Sequence, residues 1–172
     1  MASAAVMQTA GAPRVITDEL ARFLESGISV LVGTRDMGLR PESTRGVGLR
    51  VEPGGEEATV FLPAASAAAA RANLEENGRI AVCVSRALDN RAVQLKGRVV
   101  AVTAGDAAAR ALVDRYRDEL ARNLAVIGLP PRVTLRLVNW PVHAVRFQVE
   151  SVFVQTPGPG AGAPLRDGGG AP

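Results

Sequence analysis

The sequence predicts a mainly β protein in which an antiparallel sheet closes into a small barrel and carries three helices. Short apolar segments with alternating residues recur within 28–62, 79–104 and 133–155, and turn-forming sequences separate them, as is typical of antiparallel strands. Segments with helical spacing interrupt these strands. Closure of the sheet is the natural arrangement because it removes exposed strand edges.

Composition limits the classes of function. The chain has 172 residues and 47% hydrophobic residues, enough for one domain with a substantial core. Its 20 basic and 17 acidic residues are interleaved and only 3% are aromatic, so nucleic acid is not expected as a partner. With Cys83 and His143 the single residues of their types, neither an intrachain disulfide nor a bound metal is expected. No signal peptide or membrane span is recognised, so we expect a soluble cytoplasmic protein with no membrane partner.

The pattern divides the chain into three parts. Residues 1–14 are small and unpatterned and are predicted to be a flexible arm. Residues 15–155 contain the patterned segments and form the predicted domain. Residues 156–172 are a Gly- and Pro-rich tail that is not expected to pack a core of its own.

The first part of the domain is predicted to be a helix followed by an antiparallel meander. Thr17 is a suitable N-cap, apolar residues at 20, 23 and 24 share a helical face, and Gly27 ends the helix. Val47, Leu49 and Val51 alternate with other residues and are predicted to share one face of a strand. The predicted strands are 28–34, 40–52 and 58–62, with turns at 36–38 and 53–57.

The second part is predicted to contain two helices and four further strands. An alanine-rich helix within 63–74 is ended by Asn77-Gly78, and a longer helix spans 106–127. Alternation predicts two strands within 79–104 joined by a loop at 87–91, and two more at 133–137 and 143–155. In the last strand the phase slips near Ser151, which predicts a β-bulge.

The strand pair within 79–104 carries the most informative pattern. Its first strand has small or apolar residues on both faces and is predicted to be covered on both. Its second strand places Gln94, Lys96 and Arg98 on one face, either a solvated surface or a surface for a ligand or subunit. Lys96 is the only lysine among the 20 basic residues, which slightly favours the ligand or subunit surface because lysine and arginine are not interchangeable.

The alanine-rich helix also allows two interpretations. It lies between two predicted strands, so its N-terminal amides would be near an edge of the sheet. Such a helix end can bind a phosphate. It can equally be a lid that only covers the end of the barrel.

Three stretches resemble motifs of the flavin-binding split barrels of the pyridoxamine 5'-phosphate oxidase-like superfamily. Residues 43–49 (STRGVGL) are similar to its S-x-R-x-V-x-L strand, and residues 72–82 (ANLEENGRIAV) to its helix-to-strand junction. Residues 94–99 (QLKGRV) resemble its v-x-G-x-a strand, and residues 153–160 a C-terminal segment of an uncharacterised branch. The order of these motifs extends the resemblance over nearly all of residues 15–160.

The resemblance implies a six-stranded antiparallel Greek-key split barrel with flanking helices, active as a homodimer with one FMN at each end of the subunit interface. Arg45 takes the position of the arginine that contacts the FMN phosphate. The other residues implied as contacts to the phosphate or the flavin are Thr44, Ser66, Arg71, Gln94 and Lys96.

The sequence departs from the family at positions that bear on function. Ala68 and Ala70 stand where a serine and a lysine are usual, and the C-terminal arginine and histidine that recognise pyridoxal phosphate substrates have no counterpart. The resemblance therefore implies an FMN-dependent oxidoreductase acting on an unknown small molecule, and not a true pyridoxamine 5'-phosphate oxidase. The alternatives are a non-enzymatic protein that binds flavin or haem, with His143 as the only imidazole, and a dimeric module whose cofactor site has decayed. No catalytic residue is assigned.

Overall fold

The computed structural model describes residues 15–165, and this part of the chain forms four helices and seven strands. The predicted arm, 1–14, and the end of the tail, 166–172, lie outside the described residues. No helix within residues 15–165 is long and apolar enough to cross a membrane. In chain order the elements are α1 (Asp18–Leu24), β1 (Ser29–Arg35), β2 (Pro41–Gly46), β3 (Gly48–Val51), β4 (Glu57–Pro63), α2 (Ala68–Asn77), β5 (Arg79–Ser85), β6 (Ala92–Ala104), α3 (Ala107–Val126), α4 (Pro131–Thr134) and β7 (Val142–Val154).

The strands form one curled antiparallel sheet in the order β2-β1-β5-β6-β7-β4-β3, which confirms the predicted fold class. The resemblance implied six strands and the sequence pattern seven. Seven are observed, because the predicted strand 40–52 is broken at Val47 into two and the strand predicted at 133–137 is absent. The two halves, β2 and β3, are the two edge strands of the sheet. Because they follow each other directly in the chain, they bring the two edges together. A Cβ at Gly46 would lie 2.6 Å from Val30 Cγ1 in β1 and 3.2 Å from Val60 Cγ2 in β4, so both sides meet there.

The break at Val47 changes which residues face the core. Leu49 belongs to the main core inside the barrel. Val47 belongs to a second cluster with Phe61 and Val113, and a Cβ at Gly48 would also contact α3. Two successive residues therefore face α3, and the prediction that Val47 shares a face with Leu49 is wrong. An irregular residue in a strand reverses the alternation beyond it.

Helix α1 forms where it was predicted, and it also covers the free edge of β3. Thr17 Oγ1 accepts a hydrogen bond from the Leu20 N–H at 3.3 Å, so it caps the helix as expected. Just after the helix, Glu25 Oε1 accepts a hydrogen bond of 2.7 Å from the Val51 N–H of β3. The carboxylate thus satisfies a backbone donor that no strand pairs with.

The other two predicted helices are present with shifted limits. Residues 64–66 form a turn after β4, and α2 begins only at Ala68. Gly78 ends the helix with a φ of 67°, as the sequence indicated. Asp106 caps α3, where its side chain accepts a hydrogen bond of 2.8 Å from the Ala109 N–H. The apolar stripe of α3 is buried as far as Leu120, whereas Ile127 is 51% exposed.

The predicted strand at 133–137 is wrong. Pro131 starts the short helix α4, where its fixed φ suits the first turn, and turns follow up to residue 137. Val133, Leu135 and Leu137 are all exposed. Their alternation does not mark a buried face, because side chains of these residues do not reach the core.

The predicted bulge in the last strand is confirmed. Lys96 pairs with Ser151 and the next residue, Gly97, pairs with Val149, so Glu150 is the extra residue. At this point β6 and β7 approach closely, since a Cβ at Gly97 would lie 1.9 Å from the Gln148 carbonyl oxygen.

The start of the tail folds back along β7. The Val154 N–H donates to the Ala163 carbonyl at 2.9 Å, and the Leu165 N–H donates to the Val152 carbonyl at 2.8 Å. The side chain of Leu165 packs against the main core. The Gly- and Pro-rich segment therefore uses the core of the barrel and forms none of its own.

Candidate functional site

The outer surface of β2, β1, β5, β6 and β7, which we call the open face, carries three of the predicted site residues. Cross-strand pairing connects Arg45, Leu31, Cys83, Gln94 and Phe153 in one row across the five strands. Directly paired residues project from the same side of a sheet. The core residues alternate with them and point into the barrel.

A second row runs parallel to the first and contains Lys96. It consists of Ser43, Gly33, Ala81, Lys96 and Ser151. The structure therefore brings Arg45, Gln94 and Lys96 onto one face. Arg45 and Gln94 are three strand spacings apart, about 14 Å.

The open face differs from its prediction on β5. Ala81, Cys83 and Ser85 were expected to be covered, but each is only half-buried, whereas Ile80 and the other inward residues are buried. Next to them Leu31 is 54% exposed in the middle of the sheet. Strand β5 therefore has small or apolar residues on both sides, but no other element of residues 15–165 fully covers its outer side.

Arg45 is half-buried and has no hydrogen bond or ion pair with any residue in the range 15–165. Burial lowers the pKa of its guanidinium below the ordinary value, although an arginine remains charged in proteins. A partly desolvated cation without a counter-ion is unfavourable. An anion placed on the open face would supply the missing partner.

Lys96 is exposed and lies beside an aromatic ring. Its Nζ is 4.8 Å from the centre of the Phe153 ring, within the range of a cation–π interaction. It makes no salt bridge to any acid of the described residues. Phe153 and Leu31 were not recognised as site residues, because spacing along one strand does not show which residues of other strands are beside it.

The open face is positively charged. Arg79 and Arg98 pair with each other across the strands and share a single carboxylate, that of Glu150, at 3.0 and 3.3 Å. Arg45 and Lys96 add two further cations that have no ion pair with any residue in the range 15–165. The arrangement favours a negatively charged ligand.

Thr44 and Ser66 lie together, but on the other side of β2 from Arg45. Thr44 is buried, and its Oγ1 donates a 3.4 Å hydrogen bond to the Ser66 carbonyl. The side chain of Ser66 is exposed at the turn before α2. The N-cap of α2 is Ala67, whose side chain cannot cap the helix, so the first amides of α2 lack a side-chain acceptor.

The remaining implied phosphate contacts are on α2 itself. Arg71 forms an ion pair with Glu75 one turn later. Ala68 is exposed, whereas Ala70 is 1% exposed and faces the core. A lysine at position 70 would therefore have to leave the core to reach a ligand, and this chain has none there.

Cys83 and His143 occupy separate places. Cys83 lies on the open face beside Leu31 and Gln94, and burial raises the pKa of its thiol. His143 is half-buried on β7, paired with Leu62 and Ala104 away from the open face. Within residues 15–165 no cluster of three or more His, Cys, Asp or Glu side chains could hold a metal.

We expect Cys83 to react slowly with a thiol reagent such as DTNB at neutral pH. A raised pKa leaves less thiolate at a given pH, and the thiolate is the nucleophile. The rate should increase with pH, with a midpoint above that of the same thiol in denaturant, which serves as the control. Equal rates in the native and unfolded protein would contradict the structural assignment.

Two cavities in the described part of the chain lie away from the open face. The larger, about 560 Å³, is bordered by β3, α3 and the end of α1, including Leu49, Tyr116 and Glu25. The smaller, about 240 Å³, lies between β4, β6, β7 and the start of α3 and includes Arg146. Neither contains Arg45, Gln94 or Lys96. A ligand in either cavity would therefore not contact these three residues.

Comparisons with known proteins agree with this architecture. A family model described as pyridoxamine 5'-phosphate oxidase matches residues 16–149. Group A Streptococcus HupZ has a similar solved structure, with a TM-score of 0.53 and 18% identity over 86% of this chain and 99% of that one. A provisionally assigned pyridoxamine 5'-phosphate oxidase of Lactobacillus delbrueckii gives a TM-score of 0.50 and 14% identity over 80% and 93% of the chains. At these identities the structures show a shared fold. No curated protein matches the sequence.

Proposed function

The chain belongs to the pyridoxamine 5'-phosphate oxidase family, and from this membership we propose that it binds FMN on the open face and acts as a flavin-dependent oxidoreductase on a small molecule. The proposal requires a site for a phosphate, a surface for a planar ring and a second subunit to enclose both.

The observation that carries the proposal is the unpaired guanidinium of Arg45. It is half-buried and lacks an acidic partner among the described residues, so a bound anion would stabilise it. A phosphate suits this position because guanidinium can donate two parallel hydrogen bonds to it. The residues present therefore fit a phosphorylated cofactor.

The start of α2 is close to Arg45 along the chain fold, although it lies on the other side of β2. Thr44 connects β2 to the turn at Ser66 through a hydrogen bond, and Arg45 is the next residue along β2. The first amides of α2 have no side-chain cap, and the positive end of a helix dipole favours an anion. Arg71 forms an ion pair with Glu75. This ion pair would have to break before Arg71 could contact the phosphate.

The rows containing Gln94 and Lys96 would contact the ring and the ribityl chain. The Gln94 amide can donate and accept hydrogen bonds, and Lys96 supplies a positive charge that the Phe153 ring holds in place. Cys83 and Ala81 lie on β5, beside Gln94 and Lys96 and on the side toward Arg45. Their side chains are small, which leaves space for a flat group against the sheet.

A second copy of the chain would enclose the site. The open face is uncovered in one chain at Leu31, which is 54% exposed. Burial of the exposed half of this side chain would stabilise an interface by about 1 kcal/mol. A homodimer formed through this face would exclude water from both cofactors.

Bound FMN would supply the redox chemistry by accepting and returning electrons. The residues of this chain would bind its phosphate through Arg45, orient it through Gln94 and hold a positive charge near it through Lys96. Ala68 and Ala70 remove two side chains that the family usually offers to a phosphate. The C-terminal arginine and histidine that recognise pyridoxal phosphate substrates in the family have no counterpart in this chain, so the substrate is proposed to be something other than pyridoxamine 5'-phosphate.

The test is the colour and mass of what purifies with the protein. We expect yellow protein with the two visible absorption bands of an oxidised flavin, and FMN in the mass spectrum after denaturation. Gel filtration should show a dimer. Protein that is colourless, and stays so after incubation with FMN and gel filtration, would overturn the proposal; a Soret band on haem addition would favour the haem-binding alternative instead.

A further inference from the structure

An exposed apolar surface covers the end of α3 and the segment around α4. Seven of the twelve exposed large hydrophobic residues of the described chain fall within residues 126–138. They are Val126, Ile127, Leu129, Val133, Leu135, Leu137 and Val138, with exposed fractions from 36% to 69%. We call this set the α3–α4 surface. The seven residues lie close together in sequence at the end of α3 and around α4, and a group of exposed apolar side chains of this kind can mark an interaction site.

Backbone hydrogen bonds and buried polar anchors hold the α3–α4 surface in one conformation. The Leu129 N–H donates to the Leu124 carbonyl at 3.1 Å, and the Leu135 N–H to the Pro131 carbonyl at 3.0 Å. At its end, the buried Asn139 donates a 3.1 Å hydrogen bond from Nδ2 to Asp114 Oδ1 of α3. The apolar side chains are therefore presented by an ordered backbone, which reduces the entropy lost on binding.

The segment that forms this surface carries positive charge and no acid. No Asp or Glu occurs between Glu119 and Glu150. Arg122, Arg132 and Arg136 are exposed and have no ion pair with any residue of the described range. Elsewhere on the protein most exposed arginines are paired, as Arg79 is with Glu150. The occupant of this surface must therefore bring negative charge together with apolar groups.

The composition of the chain excludes its own termini as the complement. Residues 1–14 contain no acid, and residues 166–172 contain one acid but no large apolar residue. A second copy placed symmetrically against the same surface would oppose three arginines with three arginines. Such like-charge contacts are unfavourable.

A membrane is also a poor match for the α3–α4 surface. Residues 120–139 contain no aromatic residue and only three basic ones. Interfacial helices are typically rich in Trp or Phe as well as in basic residues, and binding to anionic lipid generally uses about four to eight basic side chains. A protein segment requires neither.

We propose that the α3–α4 surface binds an acidic amphipathic segment of a partner protein, with leucine-type side chains on the seven exposed aliphatic residues and carboxylates on Arg122, Arg132 and Arg136. Such recognition places an apolar face on an apolar surface and uses the charges for selectivity. The proposal is independent of the flavin site, because none of these residues lies on the open face.

Full-length protein can be tested with a fluorescein-labelled amphipathic peptide that carries leucine and glutamate at helical spacing. Its controls are the same peptide with lysine in place of glutamate and a scrambled acidic peptide. Fluorescence anisotropy should show saturable binding of the acidic amphipathic peptide and at least tenfold weaker binding of both controls. Vesicles of mixed phosphatidylglycerol and phosphatidylcholine, assayed by sedimentation, should not retain the protein.

Two variants locate the binding. One variant is the double substitution Arg132→Glu with Arg136→Glu, and the other is Leu135→Asp. Each should weaken peptide binding at least tenfold, and neither replaces a buried side chain. The matched control, Arg22→Glu with Arg40→Glu, reverses two exposed arginines elsewhere and should leave binding unchanged. Absence of peptide binding, equal effects of test and control variants, or retention by vesicles would overturn the proposal. So would a change of oligomeric state in Leu135→Asp, which would identify a second copy as the occupant.

Discussion

Arg45→Ala is expected to weaken FMN binding by about 10- to 100-fold. The loss of a charge-assisted contact to phosphate corresponds to about 1.5–3 kcal/mol. Removal of the side chain does not disturb the core, since Arg45 projects from the outer side of β2 and makes no hydrogen bond to the described residues. The dissociation constant can be measured from the quenching of flavin fluorescence during titration of the apoprotein.

Two further variants show whether the effect belongs to the guanidinium. Arg45→Lys keeps the charge but loses the two-pronged donor geometry, so we expect an intermediate affinity. Arg22→Ala removes an exposed arginine of α1 that has no ion pair in the described range, and it should bind FMN normally. Equal affinities of Arg45→Ala and the parent protein would remove the main support for the flavin site.

Gly97→Ala is expected to destabilise the protein by about 2–4 kcal/mol, the range of large steric effects in a packed interior. The added Cβ would lie 1.9 Å from the carbonyl oxygen and 3.0 Å from the carbonyl carbon of Gln148. Both are backbone atoms, so β6 and β7 would have to separate beside the bulge at Glu150. Urea unfolding followed by circular dichroism would measure the change.

Gly33→Ala provides the matched control in the same sheet. A Cβ at Gly33 would have its nearest neighbours at 3.9 and 4.0 Å, both on Ala81, which is ordinary contact. Its effect should therefore be within about 1 kcal/mol, of either sign, because alanine also restricts the unfolded chain. If Gly97→Ala unfolds at the same urea concentration as Gly33→Ala, the close approach of β6 and β7 is not as described.

Much of the fold could be predicted from periodicity. Thr17 and Asp106 cap helices at the expected places, and Gly78 ends α2. The slip of alternation near Ser151 located the bulge to within one residue. These features depend on local sequence, because capping and the two-residue repeat of a strand involve neighbours along the chain.

Sequence patterns gave wrong predictions where the patterned residues do not pack into the core. Val133, Leu135 and Leu137 alternate as in a strand, but they are exposed on and after a helix that Pro131 starts. The bend at Val47 could not be predicted either. It arises because the sheet must turn to close, and that requirement involves β1 and β4, which are distant in sequence.

For the candidate site, the sequence supplied candidate residues but not their arrangement. The resemblance indicated Arg45, Gln94 and Lys96, and cross-strand pairing places them on one face. It also places Thr44 on the opposite side of β2, inside the barrel. Leu31 and Phe153 became visible only through pairing, because neither stands in a recognisable motif.

The carboxylate of Glu25 has a consequence for how the protein behaves when concentrated. Strand β3 ends the hydrogen-bonded order of the sheet, and an unoccupied strand edge can recruit a strand from another molecule and start a fibril. Here the Val51 N–H is already bonded to the Glu25 side chain. An incoming chain would have to displace a charged group before it could add to the sheet, so this edge is protected against templated growth.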